Sequence, residues 1–164
     1  MSIYEMGQSI IGYMELPVVA ARVDLSRVAR EWYEIGRSPC AQQRVGTYGK
    51  TTYVLLEPSR LRMVCETYDK LTDNLLEGRV TGDAVCVGNG RLRVRLGWFG
   101  RLRAAADHDI YYMNASYTTM VVGSLKMVWI MVGDRSKVHA VEIAFVKGRL
   151  AEMGFDVDNL YWTI

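Results

Sequence analysis

Apolar and polar positions are most sharply patterned between Asp109 and Gly154. Two apolar runs, Ile110–Val122 and Leu125–Val132, are joined at Gly123-Ser124, and their β-branched content predicts two long strands. On the second run Leu125, Met127, Trp129 and Met131 share one face, and Val128, Ile130 and Val132 share the other. Both faces are apolar, which predicts a strand covered on each side. A helix is expected from Ser136 to Met153, capped by Asp134 or Ser136 and stopped by Gly154, with a short aromatic strand, Phe155–Ile164, after it.

Upstream, Tyr13–Leu25 reads as a strand whose first half Pro17 confines to an edge. Leu25, Val28, Ala29 and Trp32 then fall at helical spacing, with Gly36 as a stop. Arg37–Val45 reads as a polar loop and Thr51–Leu56 as a strand ended by Pro58. Ser59 is a good cap for a second helix, in which Leu61, Val64, Cys65, Tyr68, Leu71 and Leu75 keep helical spacing up to Gly78. Ala84–Val87 and Leu92–Leu96 flank Gly88-Asn89-Gly90, a strong hairpin signal because Asn and Gly tolerate positive φ. The expected fold class is therefore α+β: a bent antiparallel sheet packed against about three helices, in a single domain over residues 1–164.

Composition narrows this picture. The 164 residues are half hydrophobic and 23% charged, enough to bury a core and unlike a disordered chain. The net charge of +2 draws in no polyanion by itself. Cys40, Cys65 and Cys86 have no metal or redox spacing and read as free thiols of a reducing compartment. The most apolar window, Tyr111–Val132, is interrupted by Asn114, Ser116, Gly123, Ser124 and Lys126, so it reads as strands and not as a membrane span.

Candidate chemistry is sparse. Arg91, Arg93 and Arg95 alternate with Leu92, Val94 and Leu96, and Arg101 and Arg103 follow. Five guanidiniums so placed suit an RNA- or phospholipid-phosphate-binding face, or else a solvated edge strand that arginines keep from pairing. Trp98 and Phe99, between two glycines, suit insertion into a membrane interface, a contact with another subunit, or the chain's own core. His139 reads as a packing or capping residue, and Asp107-His108-Asp109 as a solvated turn. No nucleophile elbow, phosphate loop or metal-ligand spacing is present. The expectation is of no catalytic residues, no metal and no cofactor. The nine methionines suit adaptable packing.

Residues 136–154 read Ser-Lys-Val-His-Ala-Val-Glu-Ile-Ala-Phe-Val-Lys-Gly-Arg-Leu-Ala-Glu-Met-Gly. After a long apolar strand, this resembles the C-terminal portion of the matrix proteins of nonsegmented negative-strand RNA viruses, closest to the bornavirus form and less closely to the rhabdovirus form. The resemblance implies a structural protein that self-associates into a homo-oligomer and bridges the inner leaflet of the envelope to the nucleocapsid or its RNA during assembly and budding. It implies an anionic membrane surface as partner, no small-molecule substrate, and a place in the virion, the host cytoplasm and the inner face of the host membrane. The chain departs from rhabdovirus matrix in having no basic tail and no proline-rich motif, with only Pro17, Pro39 and Pro58. A small cellular ligand-binding or regulatory domain, with Trp and Met residues lining a pocket, is the alternative.

Overall fold

The structure is a computed structural model that describes residues 22–39, 43–98, 101–102, 106–124 and 127–164. A single helical turn, α1 (Leu25–Val28), precedes β1 (Glu31–Arg37), β2 (Thr47–Glu57), β3 (Arg60–Asp69), β4 (Leu75–Gly88) and β5 (Arg91–Trp98). Two short strands follow, β6 (Arg101–Leu102) and β7 (Ala106–Asp107), then β8 (Asp109–Met113), β9 (Thr119–Ser124) and β10 (Met127–Val132). Helix α2 (Ala140–Glu152) and β11 (Tyr161–Trp162) end the chain.

The strands run β6-β5-β4-β3-β2-β1-β10-β9-β8, every pair antiparallel, with β7 on β5 and β11 on β1. The sheet then curls until its ends meet. His108 N donates to Leu92 O at 2.8 Å and Ile110 N to Gly90 O at 2.7 Å, which joins β8 to β5. The long strands β1–β5 and β8–β10 thus form a nearly closed barrel, and closure removes the unpaired edges that an open sheet leaves.

A barrel wall has two faces, and this one builds a core on each. Inside lie Trp32, Tyr53, Leu61, Met63, Ala84, Leu92, Val94, Ile110, Met120, Val122 and Met131, sealed at one end by Leu25 and Val28 of α1. Outside, Val146 and Leu150 of α2 pack on Ile35, Tyr111, Val121, Val128, Ile130 and Val132. Strand β10 contributes to both cores, as its two apolar faces predict. The hairpin at Asn89-Gly90 also forms as read, with Gly90 at φ 66°.

The expected α+β arrangement, a bent antiparallel sheet packed against about three helices, is overturned. Among the described residues only α1 and α2 are α-helical, and the sheet closes on itself. The first expected helix stops after one turn. The i, i+4 relation between Val28 and Trp32 is real, but the indole makes it: Trp32 Nε1 donates to Val28 O at 2.9 Å while its backbone is already in β1. The second expected helix, Ser59 to Gly78, is instead β3, a turn and the start of β4. Arg60 and Arg62 alternate with the buried Leu61 and Met63, a period of two that the leucine spacing disguised. Asp69 folds the turn by accepting from the Leu71 and Thr72 backbone N–H groups.

The expected strand Ile110–Val122 is cut in two by Asn114. Its Oδ1 accepts from the N–H groups of Thr118 and Thr119, and its Nδ2 donates to Glu142 of α2. The closing helix begins late, after a 3-10 turn (Arg135–Lys137) capped by Asp134, and stops at Gly154 with φ 88°. His139 holds the N-cap position of α2 without a side-chain cap bond. The first expected strand falls mostly outside the described residues, and Arg22–Asp24 are not strand.

Strand β1 changes partners along its length. It pairs with β2 at Glu31–Tyr33 and with β11 at Gly36–Arg37, and Glu34 and Arg37 lie in the wedge where β2 peels away. Both are buried, 2.6 Å apart, with Glu34 also accepting from Gly49 N and Arg37 donating to the carbonyls of Arg44 and Thr47. Arg135 ties the chain end down by donating to Thr163 O, Thr163 Oγ1 and Glu34 O.

Two stability outcomes follow. Leu150→Ala empties a site 1% exposed between α2 and the wall, and should cost about 3 kcal/mol in chemical denaturation; Val141→Ser, 83% exposed on the same helix, should change it by under about 0.5 kcal/mol. Arg37→Leu strands a buried carboxylate and should cost about 3–5 kcal/mol, more than the double variant Glu34→Leu/Arg37→Leu. A double variant less stable than the single would show that the pair itself stabilises the fold.

Candidate functional site

On strand after strand, the inward side chains pass from buried to partly exposed toward the same end of the barrel. On β3 the order is Leu61 and Met63, buried, then Cys65, half-buried; on β2 it is Tyr53, then Thr51. On β10 it is Met131, then Trp129 and Met127; on the strand β8 continues, Ile110, then His108. One end of the interior is therefore packed solid and the other opens into a lumen. Strand alternation explains why these residues share it, since every second side chain of a closed wall points inward.

Tyr53, His108 and Trp129 meet where the two regimes join. The Tyr53 hydroxyl lies 3.3 Å from His108 Nε2, and the imidazole stacks on the Trp129 indole with centroids 5.9 Å apart. Strand β2 and the start of β8 face each other across the barrel, with β1, β10 and β9 between them one way round and β3, β4 and β5 the other. The hydroxyl–imidazole bond thus crosses the interior and forms the lumen floor. Burial holds the His108 pKa down at about 4, because desolvation disfavours the imidazolium. Burial likewise pushes the Tyr53 phenol far up, so it keeps its proton beside Nε2.

Above the floor, Thr51 Oγ1 and Cys65 Sγ lie 3.9 Å apart, and burial raises the thiol's pKa, which keeps it a neutral, weakly polar group. Trp129 Nε1 donates to Gln43 Oε1 at 3.0 Å, fastening the segment after β1 to the wall. Burial pushes the Glu34 carboxyl up while Arg37, the Gly49 N–H and Arg135 pull it back; this pair is spent on itself. The lumen as described is apolar, sulfur-rich and aromatic, with neutral polar groups.

A second cavity, of about 490 Å³, lies on the outer wall between Tyr33, Tyr48, Asp73 and Gly133–Ser136. Its groups are engaged with one another. Tyr48 donates to Asp73, which with burial drives the phenol up to about 12; Arg135 lies over the Tyr48 ring; Asp134 caps Ser136. Among the described residues no cluster of His, Cys, Asp or Glu suits a metal, and no helix is long and apolar enough to cross a membrane.

Of the arginines singled out from sequence, those the structure describes on β5 lie on the other side of the wall. Arg91, Arg93 and Arg95 project outward from β5, with Leu92 and Val94 inward, as their alternation requires. Pairing register adds Arg60 and Arg62 of β3 on the same outer surface, interleaved with Val54, Val85 and Val87. Strand β5 is paired on both sides, so the edge-strand reading fails. Trp98 ends β5 and Arg101 begins β6; Phe99 and Arg103 lie outside the described residues. Sequence reasoning passed over Tyr53, offered Trp and Met residues as a pocket lining only in its alternative reading, and took Asp107-His108-Asp109 for a solvated turn. The available signal was the two-residue step from His108 to the apolar Ile110.

The model of the lipocalin-like domain family matches residues 23–164. No curated protein matches the chain by sequence. Among solved structures, insecticyanin from the tobacco hornworm Manduca sexta superposes with a TM-score of 0.67 at 13% identity, over 88% of this chain and 82% of that one. Lobster apocrustacyanin A1 gives 0.64 at 13% identity, over 94% and 92%. The amine binding protein of Rhodnius prolixus, in its tryptamine complex, gives 0.56 at 12% identity, over 89% and 84%. These findings overturn the viral matrix resemblance, which rested on the pattern of one amphipathic helix. With it go the assembly and budding role, the homo-oligomer, nucleocapsid, RNA and anionic-membrane partners, the virion and inner-membrane location, and the exclusion of a small-molecule ligand.

The buried imidazole makes stability depend on pH with a definite sign. Because its folded pKa, about 4, lies below the ordinary 6.5, the contribution is complete above pH 6.5 and lost as pH falls through that window, where the unfolded chain takes up the proton. Urea titrations should show His108→Gln losing less stability than the parent between those values, by on the order of 2 kcal/mol once lumen water is allowed for. Equal losses would mean the imidazole titrates freely.

Proposed function

The chain belongs to the lipocalin-like domain family, and we propose that it is a carrier that holds one small, largely apolar molecule in the open end of the barrel and catalyses no reaction on it. The observation that carries this reading is the burial gradient, which leaves half-accessible Met127, Trp129, Cys65 and Thr51 above a packed floor. An apolar pocket with a few placed polar groups is the usual form of a small-molecule site. Methionine and tryptophan give such a site adaptable, polarisable walls. The carrier reading also suits the chemistry on the wall: the thiol is held protonated, the histidine is held neutral, and Glu34 and Arg37 neutralise each other, which leaves no activated nucleophile or base among these described groups.

The outer arginine face is a separate matter, and we propose for it only a solvated role. Arg60 is already engaged with Asp83 at 3.2 Å, and exposed pairs of this kind contribute under about 1 kcal/mol.

The test uses N-phenylnaphthylamine, a neutral apolar fluorophore that brightens out of water. Titration should give a saturable rise at about one probe per chain. Cys65→Trp fills the lumen and should abolish the rise, while Val54→Trp on the outer wall should leave it intact, with circular dichroism showing both variants folded. A rise that is absent, or indifferent to Cys65→Trp, sinks the carrier reading.

A further inference from the structure

One polar group of the lumen floor is left with an open position among the described residues. The Tyr53 hydroxyl meets no acceptor other than His108 Nε2 among the described residues, so its hydrogen is best placed toward Nε2, which leaves the imidazole's own proton on Nδ1. Among the described residues Nδ1–H meets no acceptor, and none of their buried side-chain nitrogens or oxygens is sealed in without a partner. The open donor therefore faces the lumen. Its ring is fixed from three directions: by the tyrosine across the barrel, by the Trp129 face at 5.9 Å, and by the His108 backbone bond to Leu92.

We infer that His108 Nδ1–H is the lumen's recognition point, and that the preferred ligand is a neutral, flat, conjugated molecule bearing one hydrogen-bond acceptor, such as a carbonyl oxygen, beside its apolar plane. The inference deepens the carrier reading and rests on it. The shape follows from the Trp129–His108 stack, whose planar walls favour a planar guest in an offset or tilted packing. The acceptor follows from this unmet donor, because a ligand without one leaves Nδ1–H desolvated and unpaired when it expels lumen water. Neutrality follows from the floor, where the described groups offer a ligand no free charge. Glu34 is held by Arg37 and Gly49, Tyr53 keeps its proton, and the Cys65 thiol is pushed toward its neutral form. An ammonium placed there would be a buried charge without a partner. Tyr53 acts as a positioning residue, fixing the tautomer through Nε2.

The test compares three probes of one shape: naphthyl methyl ketone, isopropenylnaphthalene, in which a methylene replaces the carbonyl oxygen, and naphthylethylammonium. Displacement of N-phenylnaphthylamine at neutral pH should rank the ketone about tenfold tighter than the alkene, the worth of one hydrogen bond, with the ammonium weakest. In His108→Phe the ketone's advantage over the alkene should vanish; in Tyr53→Phe it should narrow. In the unaltered protein, nitrogen-15 spectra of the imidazole should report a protonated Nδ1 whose resonance moves on adding the ketone and stays put on adding the alkene. Equal binding of ketone and alkene, or an imidazole protonated on Nε2, overturns the inference and leaves the carrier reading standing. If no probe displaces a fluorophore that Cys65→Trp excludes, the inference falls and the carrier reading stands; both fall only if the fluorophore itself does not bind in the lumen.

Discussion

Closure of the sheet is the constraint on which the rest of the molecule depends. Antiparallel strands joined in order leave two edges, and here those edges, β5 and β8, bond to each other through Leu92–His108 and Gly90–Ile110. Only once that contact exists does the wall have an inside. The alternation Leu92/Val94, Leu61/Met63 and Met120/Val122 then converts from a list of apolar positions into one enclosed core. The closing residue has two duties: the His108 backbone completes the barrel and its side chain floors the lumen.

The outer half of the structure manages a second problem, the strain of bending β1. This strand cannot stay paired with β2 for its whole length and still close against β10. It breaks register between Glu34 and Gly36, and β11 takes the place that β2 vacates. A buried ion pair in the resulting wedge is a costly filler, since desolvating two charges offsets most of their attraction. What it contributes is geometry. Glu34 fixes Gly49, Arg37 fixes the carbonyls of Arg44 and Thr47, and Arg37 lies over the Tyr161 ring at 4.6 Å, so the rim and the chain end are held by one cluster. Helix α2, packed on the outer faces of β9, β10 and β1, covers the remaining apolar wall and shuts water away from the outer face of β10.

The lumen inherits its chemistry from these arrangements. A floor of tyrosine, histidine and tryptophan sits above a solid plug, and the charges nearest the rim are spent on holding the wall. A ligand therefore meets methionine, aromatic faces and one directed donor in place of a charged anchor. The arginines of β3 and β5 stand on the opposite side of the wall, where they keep the outer surface hydrated between exposed valines.

Several features follow from the chain alone. Gly88-Asn89-Gly90 dictates its hairpin because the backbone there needs positive φ. The two apolar faces of Met127–Val132 dictate a strand covered on both sides, and the stripe of Ile143, Val146 and Leu150 dictates the last helix. The alternation of Arg91, Arg93 and Arg95 dictates which way they point. Tertiary structure decided the rest. Leu25 to Trp32 and Leu61 to Leu75 satisfy a helical period and, in part, an alternating one, and residues such as Met63 and Leu61 lean toward helix on their own. The sheet wins because each strand gains a neighbour on both sides, a gain that depends on residues far away in sequence. Asn114 ends a strand only because Thr118, Thr119 and Glu142 come within its reach. His108 looks like a solvated turn until the barrel closes around it, since its partners Tyr53 and Trp129 lie on strands that no local pattern connects. Periodicity reports which side of an element is apolar; only closure decides whether that side becomes packed core, outer surface or the inside of a cup.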